Sequence, residues 1–142
     1  HESYLRGESF FVRKLIRGAF DLLHGKQQCL EFGNLHIKRD FGWSEKYVEA
    51  MWLMLQQSKA DDYVISSGTS ISLLEIVHYV FDRLKIDKSL IKINPKFFRP
   101  TEIADIYGSS EKARQQLNWQ YDISFFTVLD LIMEEEHINY DK

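Results

Sequence analysis

A mixed α/β fold dominated by helices is what this sequence predicts, on three grounds. Helical signals, either apolar residues at three- and four-residue steps or capping residues, mark five stretches, whereas only three or four short stretches read as strands. With 44% hydrophobic and 14% aromatic residues, the 142-residue chain has material for one core. Two prolines and seven glycines leave no linker or low-complexity arm.

Taken in order, Val12, Leu15, Ile16, Ala19, Phe20 and Leu23 form one buried stripe on a helix from Ser9 to His24, and Gly25 reads as its C-cap. Cys29 to Phe32 reads as a short strand running into a Gly33-Asn34 turn. His36 to Gly42 is polar, charged and aperiodic, and is expected to be a loop. Ser44 is the expected N-cap of a helix through Gln57 whose inward face is Val48, Met51, Trp52 and Leu55. Tyr63 to Ser66 is a second expected strand. Ser72 and Glu75 have the spacing of a capping box, opening a helix to Lys85 with Ile76, Val77, Val80, Phe81 and Leu84 inward. Ile91 to Ile93 is a third strand, broken by Pro95. Ser110 begins a short helix through Leu117, and Ser124 begins one through about Glu136 that buries Val128, Leu129, Ile132 and Met133. The acidic run Glu134 to Glu136 opposes the helix macrodipole, so fraying is expected there.

Eighteen Lys and Arg against 21 Asp and Glu give a net charge of −3, with no basic run to follow a phosphate backbone. This argues against nucleic-acid binding. No window holds the roughly 18 consecutive apolar residues of a bilayer span. The lone Cys29 cannot form an intrachain disulfide, and a reducing, cytoplasmic setting is expected. The chain opens on His1 rather than Met, which points to a piece of something longer.

Catalytic and cofactor signatures are missing from these residues. There is no Gly-x-Gly-x-x-Gly, no Gly-x4-Gly-Lys-Ser/Thr and no tyrosine followed four residues later by lysine. The five histidines, at 1, 24, 36, 78 and 137, are scattered, so no metal site is expected. What stands out is Arg6, Lys14, Arg39 and Arg99, cations set in loops or at helix starts beside aromatics and glycine. Arginine's planar fork binds phosphate oxygens in pairs, which suits a diphosphate. From these residues alone, surface ion pairs of Arg39 with Asp40 and of Arg99 with Glu102 are the commoner reading.

Larger motifs carry a resemblance. His1-Glu2-Ser3-x-Leu5-Arg6, Phe11-Val12-x-Lys14, Gly33-Asn34-Leu35, Arg39-Asp40-x-Gly42 and the unbroken run from Tyr47 to Gln57 are similar to the GDP-mannose 4,6-dehydratases. The similarity continues through Asp62 to Ile65, Phe98-Arg99-Pro100-x-Glu102, Lys112-Ala113 and Leu117-x-Trp119. Tyr4, Asn118 and Tyr121 depart from the pattern, standing where that family has Pro, Gly and Pro; the change at Tyr4 is expected to alter the fit around the nicotinamide.

The resemblance implies the C-terminal substrate-binding part of an extended Rossmann-type short-chain dehydrogenase/reductase. Residues 1–142 would be a sugar-nucleotide-binding domain without the NADP-binding half. His1 and Arg6 would touch the cofactor. Val12 and Lys14 would help hold the guanine and its ribose, with Gly33 passing close to the nucleotide; Arg39 and Arg99 would grip the diphosphate, and Glu102 would accept from a ribose hydroxyl or orient Arg99. The implied reaction turns GDP-mannose into GDP-4-keto-6-deoxymannose, on the way to GDP-fucose and other deoxyhexoses. Hydride leaves C4 for NADP, water is lost across C5 and C6, and the hydride returns at C6. No catalytic residue lies in this chain, which is therefore expected to be inactive alone and part of a homo-oligomer when intact. The helix from Ser9 to His24 is the expected face for the other half, and a source of self-association. Two other readings remain: a related epimerase or dehydratase using another base, and a non-catalytic binding module.

Overall fold

The computed structural model describes residues 1–140. Its element order is α1 (Phe11–Leu23), β1 (Leu30–Phe32), β2 (Lys38–Asp40), α2 (Ser44–Leu55), β3 (Ser70–Ser72), α3 (Leu73–Arg83), β4 (Ile91–Ile93), β5 (Asp105–Ile106), α4 (Glu111–Leu117) and α5 (Phe125–Asn139). No helix among the described residues is long and apolar enough to cross a membrane.

The main core lies where α1, α3 and α5 meet. Val12, Leu15, Ile16 and Ala19 of α1, Ile76, Val77, Val80 and Phe81 of α3, and Val128, Leu129 and Ile132 of α5 are all 0% exposed. Burial of each large aliphatic among them contributes about 1.5–3 kcal/mol, so the helix stripes read in the sequence dominate the fold. Local signals fix the helix ends. After α1, Gly25 at φ +69° donates its N–H to the Leu22 carbonyl (3.1 Å) and Lys26 donates to Asp21 (2.8 Å), a Schellman motif. The Ser72/Glu75 capping box of α3 is present in both directions. The Ser124 hydroxyl accepts from the Phe126 N–H at the start of α5. At α2, by contrast, Trp43 and not Ser44 is the N-cap, without a side-chain bond.

The strands depart further from expectation. β1 and β4 pair in parallel, with Leu30 opposite Ile91 and Phe32 opposite Ile93. The expected loop at His36 to Gly42 instead contains β2, the centre of a second sheet, antiparallel to β3 (Arg39 opposite Ile71) and parallel to β5 (Arg39 opposite Ile106). The Asp40 carboxylate secures this sheet by accepting the backbone N–H groups of Ser67 (2.9 Å), Gly68 (3.0 Å) and Gly108 (3.4 Å). Tyr63 to Ser66 is not a strand. Tyr63 and Ile65 pack on a second apolar cluster of Ala50, Ala113, Leu117 and Trp119, while Val64 is 58% exposed and the segment has no ladder among the described residues.

Two expectations about helix faces are overturned. Val48, Met51, Trp52 and Leu55 of α2 face outward, 53–81% exposed, while Ala50 is buried and Leu53 and Met54 pack inward. The helix is apolar on both sides, and its inner side is anchored by Trp119, whose indole N–H donates to the Lys46 carbonyl (2.9 Å). The end of α5 does not fray at the acidic run: the helix continues to Asn139, and Glu136 is 1% exposed and paired with Arg13.

The expected sticky face therefore moves from α1, whose stripe is core, to α2. Trp52→Lys is expected to change stability by less than about 0.5 kcal/mol, against about 3–5 kcal/mol for Trp119→Ala. It should also reduce self-association in sedimentation equilibrium; a wild-type chain that stays monomeric at high concentration rules the α2 stripe out as the sticky face.

Candidate functional site

One cleft of about 640 Å³ gathers most of the residues singled out in the sequence. Its walls are the start of α1, the turn after β1, β2, and the segment from Phe97 to Ile106. Arg6, Lys14, Gly33, Arg39, Arg99 and Glu102 all line it. The sheet pairings bring them together, since β1–β4 sets Gly33 beside the Phe97 turn and β2–β5 sets Arg39 beside Ile103.

Neither surface ion pair expected of Arg39 and Arg99 forms among the described residues. Arg39 Nη1 donates to the carbonyls of Lys38 (2.6 Å) and Ile103 (2.7 Å), which orients the guanidinium while leaving its other N–H groups uncommitted. Its expected partner Asp40 is occupied by three backbone donors. Arg99 and Glu102 do not pair either, because Glu102 Oε2 accepts from Asn34 Nδ2 at 2.8 Å. Lys14 Nζ sits over the Phe97 ring, 5.0 Å from its centroid. Lys14, Arg39 and Arg99 thus have no carboxylate within 4.0 Å among the described residues. Three positive charges on one cleft, none with a carboxylate within 4.0 Å, give its lining an electropositive character. A neighbouring cleft beside Ser66 and Gly108 has no such excess, since its Arg114 is bound to Glu111 (3.0 Å).

At the other end of the cleft, Arg6 lies over the Phe10 ring (3.9 Å) and its Nη1 donates to the His1 carbonyl. Glu2, 4% exposed, faces Arg6 at 3.5 Å. Burial raises the Glu2 carboxyl above the usual carboxylate range, against the pull of Arg6. Arg6 Nε and Glu2 Oε2 are both buried without a hydrogen-bond partner in the structure.

Two expected site residues do not line the cleft. Val12 is 0% exposed on the core stripe of α1, while its neighbour Phe11 lines the cleft, so the contact expected of Val12 is geometrically closed to it. His1 is exposed and rests against Tyr47, ring centroids 5.5 Å apart. Burial, reinforced by Asp40, pushes the Tyr47 hydroxyl far above its ordinary value. Gly33 lines the cleft, but its lack of a side chain answers to the protein: a Cβ there would lie 2.7 Å from the Phe97 carbonyl oxygen.

The three departures have structural roles. Tyr4 lies under the Arg13 guanidinium (4.2 Å) and does not line the cleft. Asn118 adopts the left-handed C-cap of α4 at φ +53°, a conformation it tolerates nearly as well as glycine. The Tyr121 hydroxyl accepts from the Trp43 N–H at 2.8 Å. Sequence reasoning read Asn34 only as a turn residue and gave no part to Phe10, Phe11 or Phe97; nothing local separates a cleft aromatic from a core one.

A family model described as GDP-mannose 4,6 dehydratase matches residues 1–132. GDP-mannose 4,6 dehydratase of Drosophila melanogaster is 36% identical over 154 residues, covering 96% of this chain and 39% of that protein. GDP-mannose 4,6 dehydratase 1 of Arabidopsis thaliana is 37% identical over 137 residues, covering 96% and 38%. The chain thus spans about two fifths of the length of the curated relatives it matches, their C-terminal part. Among solved structures, RMD from Pseudomonas aeruginosa complexed with NADPH superposes with a TM-score of 0.83 at 20% identity, covering 94% of this chain and 44% of that one.

Proposed function

Since this chain belongs to the GDP-mannose 4,6-dehydratase family, we propose that its cleft holds the sugar nucleotide of such an enzyme, with GDP-mannose as substrate and GDP-4-keto-6-deoxymannose as product. The observation that carries this reading is the convergence of Lys14, Arg39 and Arg99, all without carboxylate partners, on one cleft. Arg39 and Arg99 grip the diphosphate. Lys14 reaches the guanine and its ribose from the α1 side, with the half-exposed Phe10 and Phe97 rings offering apolar faces to the base. Glu102 accepts from a ribose hydroxyl.

A nicotinamide cofactor, when bound, supplies the hydride acceptor and donor. Arg6, ion-paired through its Nε with Glu2 (3.5 Å), lies at its edge in this reading, and the NADPH complex of RMD supports NADP. The chain's own contribution is binding and orientation, which hold the hexose at reacting distance. With no Tyr-x-x-x-Lys pair in these residues, the acid–base groups come in this reading from elsewhere in the intact enzyme. The exposed α2 stripe suits the face that meets that part. A homo-oligomer in the cytoplasm, on the way to GDP-fucose and related deoxyhexoses, completes the reading.

Calorimetric titration of the chain tests it. GDP and GDP-mannose are expected to bind, with UDP at least about tenfold weaker, and GDP-mannose with NADP should remain unconsumed. Tighter binding of UDP would give the cleft another base, binding of none would remove its role, and turnover would overturn the inactivity of the chain alone.

A further inference from the structure

We propose that Asn34 is a positioning residue for Glu102, holding its carboxylate toward a nucleotide ribose and away from the cleft arginines, and so setting a preference for ribose over deoxyribose. This rests on the reading of the cleft as a nucleotide site. The Asn34 amide has one orientation open to it: its Oδ1 accepts from the His36 N–H (2.9 Å), so its Nδ2 faces Glu102 and donates to Oε2 (2.8 Å). The amide stands on fixed backbone, because Leu74 donates to the Leu35 carbonyl (2.9 Å) and Leu73 to Ile37 (3.1 Å), at the capped start of α3.

The consequence is electrostatic. Glu102 lies three residues from Arg99, on the same cleft as Arg39, and a free carboxylate there would neutralise one of them. Bound by Asn34, it pairs with neither, and its Oε1 accepts no hydrogen bond from any described residue. One committed and one open oxygen make a directed acceptor. The cleft thereby presents positive charge for phosphates beside a directed carboxylate acceptor for the ribose hydroxyls, of which a 2′-deoxyribose has one fewer.

The test compares GDP with 2′-deoxy-GDP by calorimetric titration of the full chain. Asn34→Asp keeps the acceptor for the His36 N–H and removes the donor to Glu102; Asn34→Ala removes both, and melting curves report folding of each variant. The wild-type chain is expected to prefer GDP by about tenfold, falling to under about threefold in Asn34→Asp and Asn34→Ala. Adding Glu102→Gln to Asn34→Asp should lower the preference no further. If Glu102→Gln loses the preference while both folded Asn34 variants keep it, Asn34 does not position Glu102. A wild type that binds both nucleotides alike overturns the proposal but leaves a nucleotide cleft, whereas a wild type that binds neither overturns the functional reading itself.

Discussion

Glu136→Gln is expected to cost about 3–5 kcal/mol of stability, a fall in Tm on the order of 10 °C. Glu136 is 1% exposed, and its Oε2 accepts from Arg13 Nη1 at 2.7 Å, with Arg13 itself 4% exposed. Its Oε1 accepts from Arg17 Nη1 at 3.0 Å. Glutamine keeps the volume and removes the charge, leaving Arg13 buried without compensation. Chemical denaturation of single and double variants separates charge from packing. Arg13→Met with Glu136→Leu should recover most of the loss, because replacing a buried pair by apolar groups of similar size is often neutral. A double variant as unstable as Glu136→Gln would mean that packing between α1 and α5, and not the charge, is what the glutamate supplies.

Arg99→Ala and Arg39→Ala are each expected to weaken GDP binding by about 10- to 100-fold, the worth of a charge-assisted hydrogen bond. GMP, with one phosphate fewer, should lose less. Lysine at either position should retain part of the affinity, since it keeps the charge but not the two-pronged geometry. Both arginines are on the surface side of short segments, so the variants should melt close to the wild type. Unchanged GDP affinity in both would remove the diphosphate from this end of the cleft.

The helices of the core were legible because each carries one dominant apolar stripe, and α3 and α5 also announce their first residue by a capping serine. Legibility failed where partners are remote. β2 is three residues, Lys38, Arg39 and Asp40, with no apolar alternation, and is a strand only because β3 and β5 flank it. α2 has apolar residues on both sides, and periodicity alone does not tell which meets Trp119. The Glu134 to Glu136 run looked like solvated charge because Arg13, its distant partner, sits among apolar residues of α1. Along the cleft, the structure brings together Lys14, Arg39, Arg99 and Glu102 as the sequence reading grouped them, while Val12 turns into the core and its neighbour Phe11 lines the cleft. A single residue step on a helix rotates a side chain by about 100°, enough to move from cleft to core.

The pairing of β1 with β4, and of β2 with β5, joins segments more than 60 residues apart. Contacts of such long range close late, because their loop entropy must be met before they gain anything. The cleft is therefore a late product of folding. At a synthesis rate of about 5–20 residues per second, the wall bearing Gly33 and Arg39 waits several seconds on the ribosome for the wall bearing Arg99 and Glu102. A chain released before that point lacks one wall of the cleft, so any ligand of the cleft would stabilise only the finished domain.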